Sequence, residues 1–342
     1  MASDRLFDIE TRMASTNETK HDPISKTFAF SKSDFDWDNY ARCRPVYPES
    51  LYQEILAHHA AHGAGFQSAH DMGAGYGLVT RDFLSRHFNH TWTSDPVEHN
   101  LSAARKNLKE LDASGKITVV QAAAEDDWLP KASVDLVAAF TCLHWADETK
   151  YIPTIAAQLK PGGSFVAVVY CCPFILDNPE ADALWSRIFH RGGDVWIREA
   201  PKAMERFQEG LNSTVPLPTD LFLPGAKRVR YNAELLEEMG DHRDPEFPLK
   251  FGNLFSKEHV LSSTKVGKED VCETRTNIED WSVQGADIQW FRGLMDTFQI
   301  LNMALFEEDL KELEEVLKKG DGKGKVTVCW VVDVVLATRK MG

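Results

Sequence analysis

The chain has 342 residues, long for one compact α/β domain and short for two large ones, which points to a single domain carrying a substantial insertion. Hydrophobic residues make up 43%, enough to bury a real core, while a formal net charge of -14 without any dense Lys/Arg stripe argues against nucleic acid as substrate. No stretch approaches the roughly 20 apolar residues needed to cross a bilayer, and the polar N-terminus lacks the apolar core of a signal peptide, so no membrane association and a cytoplasmic location are expected.

Taken in order, residues 1–31 read as a mobile tail. An aromatic and proline-rich stretch follows: Phe35, Trp37, Tyr40, Arg44, Pro45, Tyr47, Pro48. From Pro48 to about His62, Leu51, Ile55, Leu56 and Ala60 recur at helical spacing, with proline in the first turn. His58, His59 and His62 are expected on a solvated face of this helix.

A strand ending at Asp71 then runs into the cluster Asp71-Met72-Gly73-Ala74-Gly75-Tyr76-Gly77, and a helix follows through Val79, Phe83 and Leu84. Strands are predicted at Thr91 to Ser94, Ile117 to Val120, Val134 to Phe140 and Ser164 to Tyr170. Helices around Leu101 to Leu108 and Tyr151 to Leu159 lie among them. Strands alternating with helices at this pitch predict a doubly wound, mostly parallel sheet with helices on both faces, an α/β core over 32–171.

After Cys172 the rhythm breaks, and 172–255 reads as a helical lid or substrate insertion, including helices at Ala183 to Phe189 and Glu199 to Leu211. Alternation resumes with Glu258 to Val266. A long amphipathic helical region from Ile288 to Lys318 and one buried strand from Val326 to Ala337 complete the core sheet within 256–342.

The cysteines Cys43, Cys142, Cys171, Cys172, Cys272 and Cys329 form no CxxC pair, which suits reduced, mostly buried thiols. No His/Cys/carboxylate cluster has metal-ligand spacing, so no metal is expected.

The glycines carry the chemistry. Gly73, Gly75 and Gly77 are spaced G-x-G-x-G, not the G-x-G-x-x-G that seats a pyrophosphate on a helix N-terminus. Asp95, twenty-two residues after Gly73 at the end of the second strand, can accept hydrogen bonds from both hydroxyls of a ribose.

Asp71 to Thr80 resembles the first motif of the class I S-adenosylmethionine-dependent methyltransferases. Ser94-Asp95-Pro96 resembles their ribose motif, Ala124-Glu125-Asp126 the segment that touches adenine, and Leu159-Lys160-Pro161-Gly162-Gly163 the turn before the fifth strand. Tyr40-Ala41-Arg42-Cys43-Arg44-Pro45-Val46-Tyr47-Pro48 and Leu143-His144-Trp145 are similar to segments of the trans-aconitate methyltransferase-like subfamily, many of whose members are fungal. The match is good over 37–171, weak over 172–255 and moderate from Glu258 onward, where Trp281-Ser282 corresponds to a family helix near the acceptor. Two departures stand out: Asp127-Trp128 lengthens the loop after the adenine segment, and Ala123 replaces an Asp frequent in relatives.

The resemblance implies a Rossmann-like sheet of seven strands, S-adenosyl-L-methionine as cofactor and a small-molecule acceptor. It leaves the oligomeric state open. It implies a cofactor site built from Tyr40, Arg44, Asp71, Gly73, Ala74, Gly75, Gly77, Asp95, Pro96, Ala124, Glu125, Phe140 and Thr141. Asp71 either anchors the loop or receives the methionine amino group. Tyr40 and Arg44 close over the methionine carboxylate, which an Arg fork matches bidentately, or Arg44 is structural. His144 and Trp145 are the catalytic candidates. His144 accepts a proton or helps to bind the acceptor, and Trp145 either faces the sulfonium or packs in the core. Phe174, Trp185, Phe189, Trp196 and Phe207, with Trp281, Trp290 and Phe291, supply an apolar lid. The expected reaction is O-methylation of a carboxylate or another acidic oxygen of a small organic acid or specialised metabolite, since such a group is already ionised and needs no strong base. Two alternatives stay open: a cyclisation or rearrangement on the same fold, and a non-catalytic cofactor-binding regulator.

Overall fold

Short apolar and β-branched runs build the first half of the chain, and their pairing follows from burial on both faces. The computed structural model describes residues 35–63, 65–170, 172–208, 215–235, 265–298, 301–319 and 322–341. The expected tail and nearly all of the strand expected at Glu258 to Val266 lie outside the described residues.

Helix α1 (Trp37–Cys43) opens where the Asp36 side chain accepts from the Asn39 amide. It stops at Arg44, extended at φ -96° and ψ 157° as a following proline requires. Helix α2 (Glu49–Ala61) starts directly after Pro48. Next come β1 (Ser68–Met72), a π-helical turn Thr80–Leu84 running into α3 (Ser85–His87), β2 (His90–Asp95), α4 (Glu98–Asn107), α5 (Lys109–Ala113) and β3 (Ile117–Gln121). Then follow β4 (Val134–Phe140), a 3-10 turn Leu143–Trp145, α6 (Glu148–Gln158) and β5 (Leu159–Tyr170). Every residue of β4 is buried, as expected for a central parallel strand covered on both faces. β5 begins earlier than the sequence suggests: Lys160 to Gly163 belongs to the strand, with the register shift against β4 lying between Val134 and Leu136.

The second half adds β6 (Phe174–Ile175), α7 (Pro179–Glu199), α8 (Pro201–Gln208), β7 (Lys227–Tyr231), β8 (Val271–Arg275) and β9 (Ser282–Ala286). It ends with α9 (Ile288–Asp296), a 3-10 turn Met303–Phe306, α10 (Glu307–Lys319), β10 (Val326–Cys329) and β11 (Val332–Thr338). The main sheet has eight strands in the order β3-β2-β1-β4-β5-β11-β7-β8, and β11 runs antiparallel to both its neighbours. Six of these, β1 to β5 and β11, fall on expected strands, whereas β7 and β8 were not expected. The eighth, β8, is a half-exposed edge strand of sequence VCETR with no apolar run to announce it.

Several expectations are corrected here. β7 lies inside 172–255 yet belongs to the main sheet: its arginines are buried because Arg228 pairs with Asp270 and Arg230 with Asp333, each at 2.7 Å. The run from Val326 to Ala337 is two strands. β10 joins a separate sheet β6-β10-β9, while the Trp330 amide donates to the Trp281 carbonyl at 3.1 Å as the chain crosses to β11. The region from Ile288 to Lys318 is likewise two α-helices, α9 and α10. Trp281 precedes a strand instead of a helix, and both it and Trp290 are buried. Trp185 is fully buried, donates to the Pro173 carbonyl at 3.1 Å and packs 4.8 Å from the Phe291 ring, so it belongs to the core and not to a lid. His59 is not solvated: it is fully buried, bonded to Ser164 Oγ and to the Gly65 carbonyl at 2.8 Å each. Among the described residues no helix is long and apolar enough to cross a membrane.

Candidate active site

The glycine loop leaves β1 at Met72 and is pinned at both ends by carboxylates. Asp71 Oδ2 accepts from the Thr80 amide at 2.9 Å and from Thr80 Oγ1 at 2.6 Å, which ties the strand to the following helical turn. Burial pushes this carboxyl up to about 7 against the lowering effect of the Thr80 bonds. The loop-anchoring alternative for Asp71 is thus visible in its contacts. Gly73 and Gly77 lie at φ 66° and 83°. A Cβ on Gly73 would stand 2.5 Å from Cys142 Cβ, and one on Gly77 would stand 2.6 Å from Leu108 Cδ1. Both glycines therefore serve close packing of the loop against the end of β4 and against α4, in addition to their left-handed backbone. The Ala74 amide donates to the Ser94 carbonyl at 2.9 Å.

At the end of β2, Asp95 Oδ2 accepts from the Gly75 amide at 3.0 Å. Its Oδ1 accepts from the Val97 amide at 2.9 Å and from Asn100 Nδ2 at 3.0 Å. Burial raises the pKa of this group, opposed by the three donors. The Pro96 carbonyl accepts from Gln121 Nε2 at 3.1 Å. On the expected adenine side, Ala124 packs against the core beside Trp128, and Glu125 Oε1 accepts from the Asp147 amide at 2.7 Å. The Asp127-Trp128 insertion has a packing role: Trp128 is buried edge-on to His70 and Trp92, with ring centroids 5.3 and 5.8 Å away.

Beyond β4 the chain turns sharply. Phe140 is buried and Thr141 takes φ 52°, a left-handed conformation that costs a β-branched residue about 1–3 kcal/mol. The Thr141 amide donates to the Val168 carbonyl at 2.7 Å, and its Oγ1 lies 3.2 Å from the Tyr47 hydroxyl. Cys142 Sγ donates to the Met72 carbonyl at 3.1 Å. The ring of Trp145 lies 5.4 Å from Trp196 and 5.1 Å from His144, and Trp196 stands edge-on to Phe298 at 6.2 Å.

The N-terminal aromatic segment closes this end. Trp37 stacks on Tyr76 at 4.9 Å, and Tyr40 stands edge-on to both, at 5.5 Å from Trp37 and 6.1 Å from Tyr76. The Arg44 guanidinium lies 5.1 Å from the Tyr40 centroid and 4.1 Å from that of Phe298, and its Nε donates to Thr297 Oγ1 at 3.0 Å. Helix α1 is held on α9 by Asn39 Nδ2 donating to the Gly293 carbonyl at 2.9 Å, where only a glycine leaves room.

Tyr40, Arg44, Phe140, Thr141, His144 and Trp145 therefore gather around one end of the glycine loop. Asp95 holds its other side through the Gly75 amide, with Pro96 next in the chain, whereas Ala124 packs in the cluster of Trp128 and Glu125 receives the Asp147 amide. The sequence reading missed Trp37, Tyr47, Tyr76, Thr297, Phe298 and Arg206. Trp37 and Tyr47 stand in the same aromatic segment as Tyr40 and Tyr76 within the glycine cluster, so a local signal existed for them. Thr297 and Phe298 had none.

The surroundings of His144 set its basicity. Burial first, and then the positive charges of Arg44 and Arg206, push its imidazole down to about 3, so it is neutral near neutral pH and supplies no cation. A folded pKa below the unfolded value gives stability that is complete above about 6.5 and is lost as pH falls toward 3. His144→Gln is expected to flatten part of that acid-side loss in denaturant unfolding; His58 and His70, both pushed down to about 4, and His59 and His90, also lowered by burial, contribute with the same sign. An unchanged slope would mean that the imidazole is hydrated.

S-adenosyl-L-methionine fits these residues on a specific observation. The Trp37 indole nitrogen and the Tyr76 hydroxyl are shielded from water without a hydrogen-bond partner among the described residues, and a Cβ on Gly75 would stand 3.6 Å from the same Trp37 ring. A polar ligand laid along the loop would offer such partners.

Residues 70–167 match the model of a methyltransferase domain. The chain is 31% identical over 335 residues to the methyltransferase tpcM of Aspergillus fumigatus, covering 92% of this chain and 95% of the relative. It is 30% identical over 312 residues to the methyltransferase gedG of Aspergillus terreus, covering 89% and 91% respectively. A solved structure described as a type II methyltransferase from Anaeromyxobacter dehalogenans shares the fold at a TM-score of 0.54 and 19% identity, over 87% of this chain and 99% of that one. With its glycine loop, its parallel sheet and full-length relatives in agreement, the chain belongs to the class I methyltransferases that use S-adenosyl-L-methionine.

Proposed function

We propose that this methyltransferase acts on a carboxylate or another acidic oxygen of a small organic acid or specialised metabolite. What supports the reading is the surroundings of the end of β4: burial, and after it Arg44 and Arg206, pushes His144 down to about 3 and makes it a weak base, while the Arg44 guanidinium lies between the Tyr40 and Phe298 rings. An acceptor that is already anionic at neutral pH needs no base, and it is attracted to Arg44. When bound, S-adenosyl-L-methionine supplies an electrophilic methyl group on its sulfonium.

The protein's part is positioning and exclusion of water. In this reading Asp95 and Pro96 hold the ribose, and Ala124 and Glu125 meet the adenine through their backbone. Gly73, Ala74, Gly75 and Gly77 bed the methionine portion above the anchor Asp71. Tyr40 and Arg44 close the anionic end, where Arg44 is kept rigid between Tyr40 and Phe298. Phe140, Trp145, Trp196 and Phe298 provide an apolar wall against which a small acceptor is desolvated.

Product chemistry tests the reading whatever the identity of the acceptor. A metabolite extract incubated with the enzyme and methyl-labelled cofactor is treated with mild alkali. A methyl ester gives up its label as volatile methanol, which is the expected result. Ethers and N-, S- and C-methyl products keep the label, and label that survives alkali overturns the carboxylate reading.

A further inference from the structure

We infer that Thr141 and Tyr47 form a hydroxyl relay in which Tyr47 orients the Thr141 hydroxyl to hydrogen-bond the acceptor oxygen, an assignment that rests on the methyl-acceptor reading above. Thr141 stands where β4 ends, between the glycine loop and the aromatic wall. Its neighbour Cys142 packs beneath Gly73, and its own Oγ1 lies 3.2 Å from the Tyr47 hydroxyl. The backbone there is left-handed at φ 52°, a conformation that glycine or asparagine adopts more readily than a β-branched residue. A threonine kept at a strained position calls for a role for its side chain.

Tyr47 is fixed from several sides. Its ring stands edge-on to Phe140 at 4.8 Å and to Trp281 at 6.4 Å, with Tyr170 also 6.4 Å away. It is 9% exposed, whereas Thr141 is only half-buried. The phenol is therefore the buried member of the pair and the threonine the more exposed one, on the side where this proposal places the acceptor. Burial raises the Tyr47 phenol well above its ordinary range, so it stays protonated and has a proton to give to Thr141 Oγ1, the direction the relay requires. A phenol that donates to Thr141 Oγ1 leaves the threonine O–H free to point toward the cleft. No bond is made or broken by either side chain; the pair holds the acceptor oxygen in line with the methyl carbon, and geometry of this kind acts on the rate of transfer. Thr141 is thus a residue that touches substrate, and Tyr47 is a positioning residue.

The test uses enzyme in excess, pre-loaded with methyl-labelled S-adenosyl-L-methionine, and follows single-turnover label transfer into the same metabolite extract. Thr141→Gly removes the hydroxyl while relieving the strained backbone, so its thermal midpoint is expected to hold or rise. Transfer is expected to slow by about 10- to 100-fold, the loss of one hydrogen bond to a charged group. Cofactor affinity measured by calorimetry falls far less than the transfer rate. Thr141→Ser, which keeps the hydroxyl, recovers most of the rate. Tyr47→Phe slows transfer as well, and the double variant is no slower than Thr141→Gly alone, because the two hydroxyls work as one unit. A wild-type rate in Thr141→Gly, losses that are multiplicative in the double variant, or an equal loss in cofactor affinity each overturn the relay. The acceptor chemistry is read separately: label that survives alkali with the variant pattern intact removes the carboxylate reading and keeps the relay. Alkali-labile label with an unaffected Thr141→Gly does the reverse.

Discussion

Asp333→Ala is expected to destabilise the fold by about 3–5 kcal/mol, the cost of leaving a buried charge without its partner. Asp333 on β11 faces Arg230 on β7 in direct cross-strand register, with Arg230 Nε donating to Oδ1 at 2.7 Å and an Arg230 terminal nitrogen to Oδ2 at 3.2 Å. The two residues are 2% and 6% exposed, so water cannot take over for either. Replacing both together, Arg230→Met with Asp333→Leu, is expected to be nearly neutral or stabilising, since an apolar pair avoids the desolvation of two charges. Denaturant unfolding reads both variants. A single-variant loss below about 1 kcal/mol, the scale of an exposed ion pair, would mean that water reaches this strand pair.

Asp95→Ala is expected to weaken S-adenosyl-L-methionine binding by about 1.5–3 kcal/mol, the range for hydrogen bonds to a charged group. The geometry adds a second effect that the motif alone does not reveal. Asp95 also receives the Gly75 amide, and through that bond the end of β2 sets the shape of the glycine loop. Its other oxygen receives the Val97 amide and Asn100 Nδ2 just ahead of α4. The variant is therefore expected to lose some stability together with affinity. Calorimetry on folded protein checks the first effect, and unchanged affinity would remove Asp95 from the cofactor site.

What could be read from the sequence was what local chemistry decides. β4 was located from Val134 to Phe140 because a segment apolar everywhere but at Asp135 suits a central strand covered on both faces. The positions of Asp71 and Asp95 at the ends of β1 and β2 followed from where apolar strands stop and glycine or proline begins. The family resemblance rested on those same short segments.

Other features depended on partners distant in the chain. KRVRY looks like a solvated segment until Asp270 and Asp333 neutralise its arginines and make it an interior strand. The tryptophans of 172–255 and beyond have the composition of a lid, yet Trp185 and Trp281 are core because β6, β9 and β10 form a second sheet around them. His59 sits on a helix that reads as surface, and Ser164 together with the Gly65 carbonyl makes it interior.

The cofactor, the sheet and the loop that serves it were therefore determined by the sequence itself, since hydrophobic period and glycine placement act within a few residues. The tertiary structure alone decided the surroundings of His144 and Arg44 beyond the end of β4. There burial, and after it the positive charges of Arg44 and Arg206 from distant segments, pushes the His144 imidazole down to about 3. Arg44 is rigid because Thr297 and Phe298, some 250 residues away, meet it. Charge state and rigidity are set by burial and by neighbouring charges, and neither is a property of a residue and its immediate sequence.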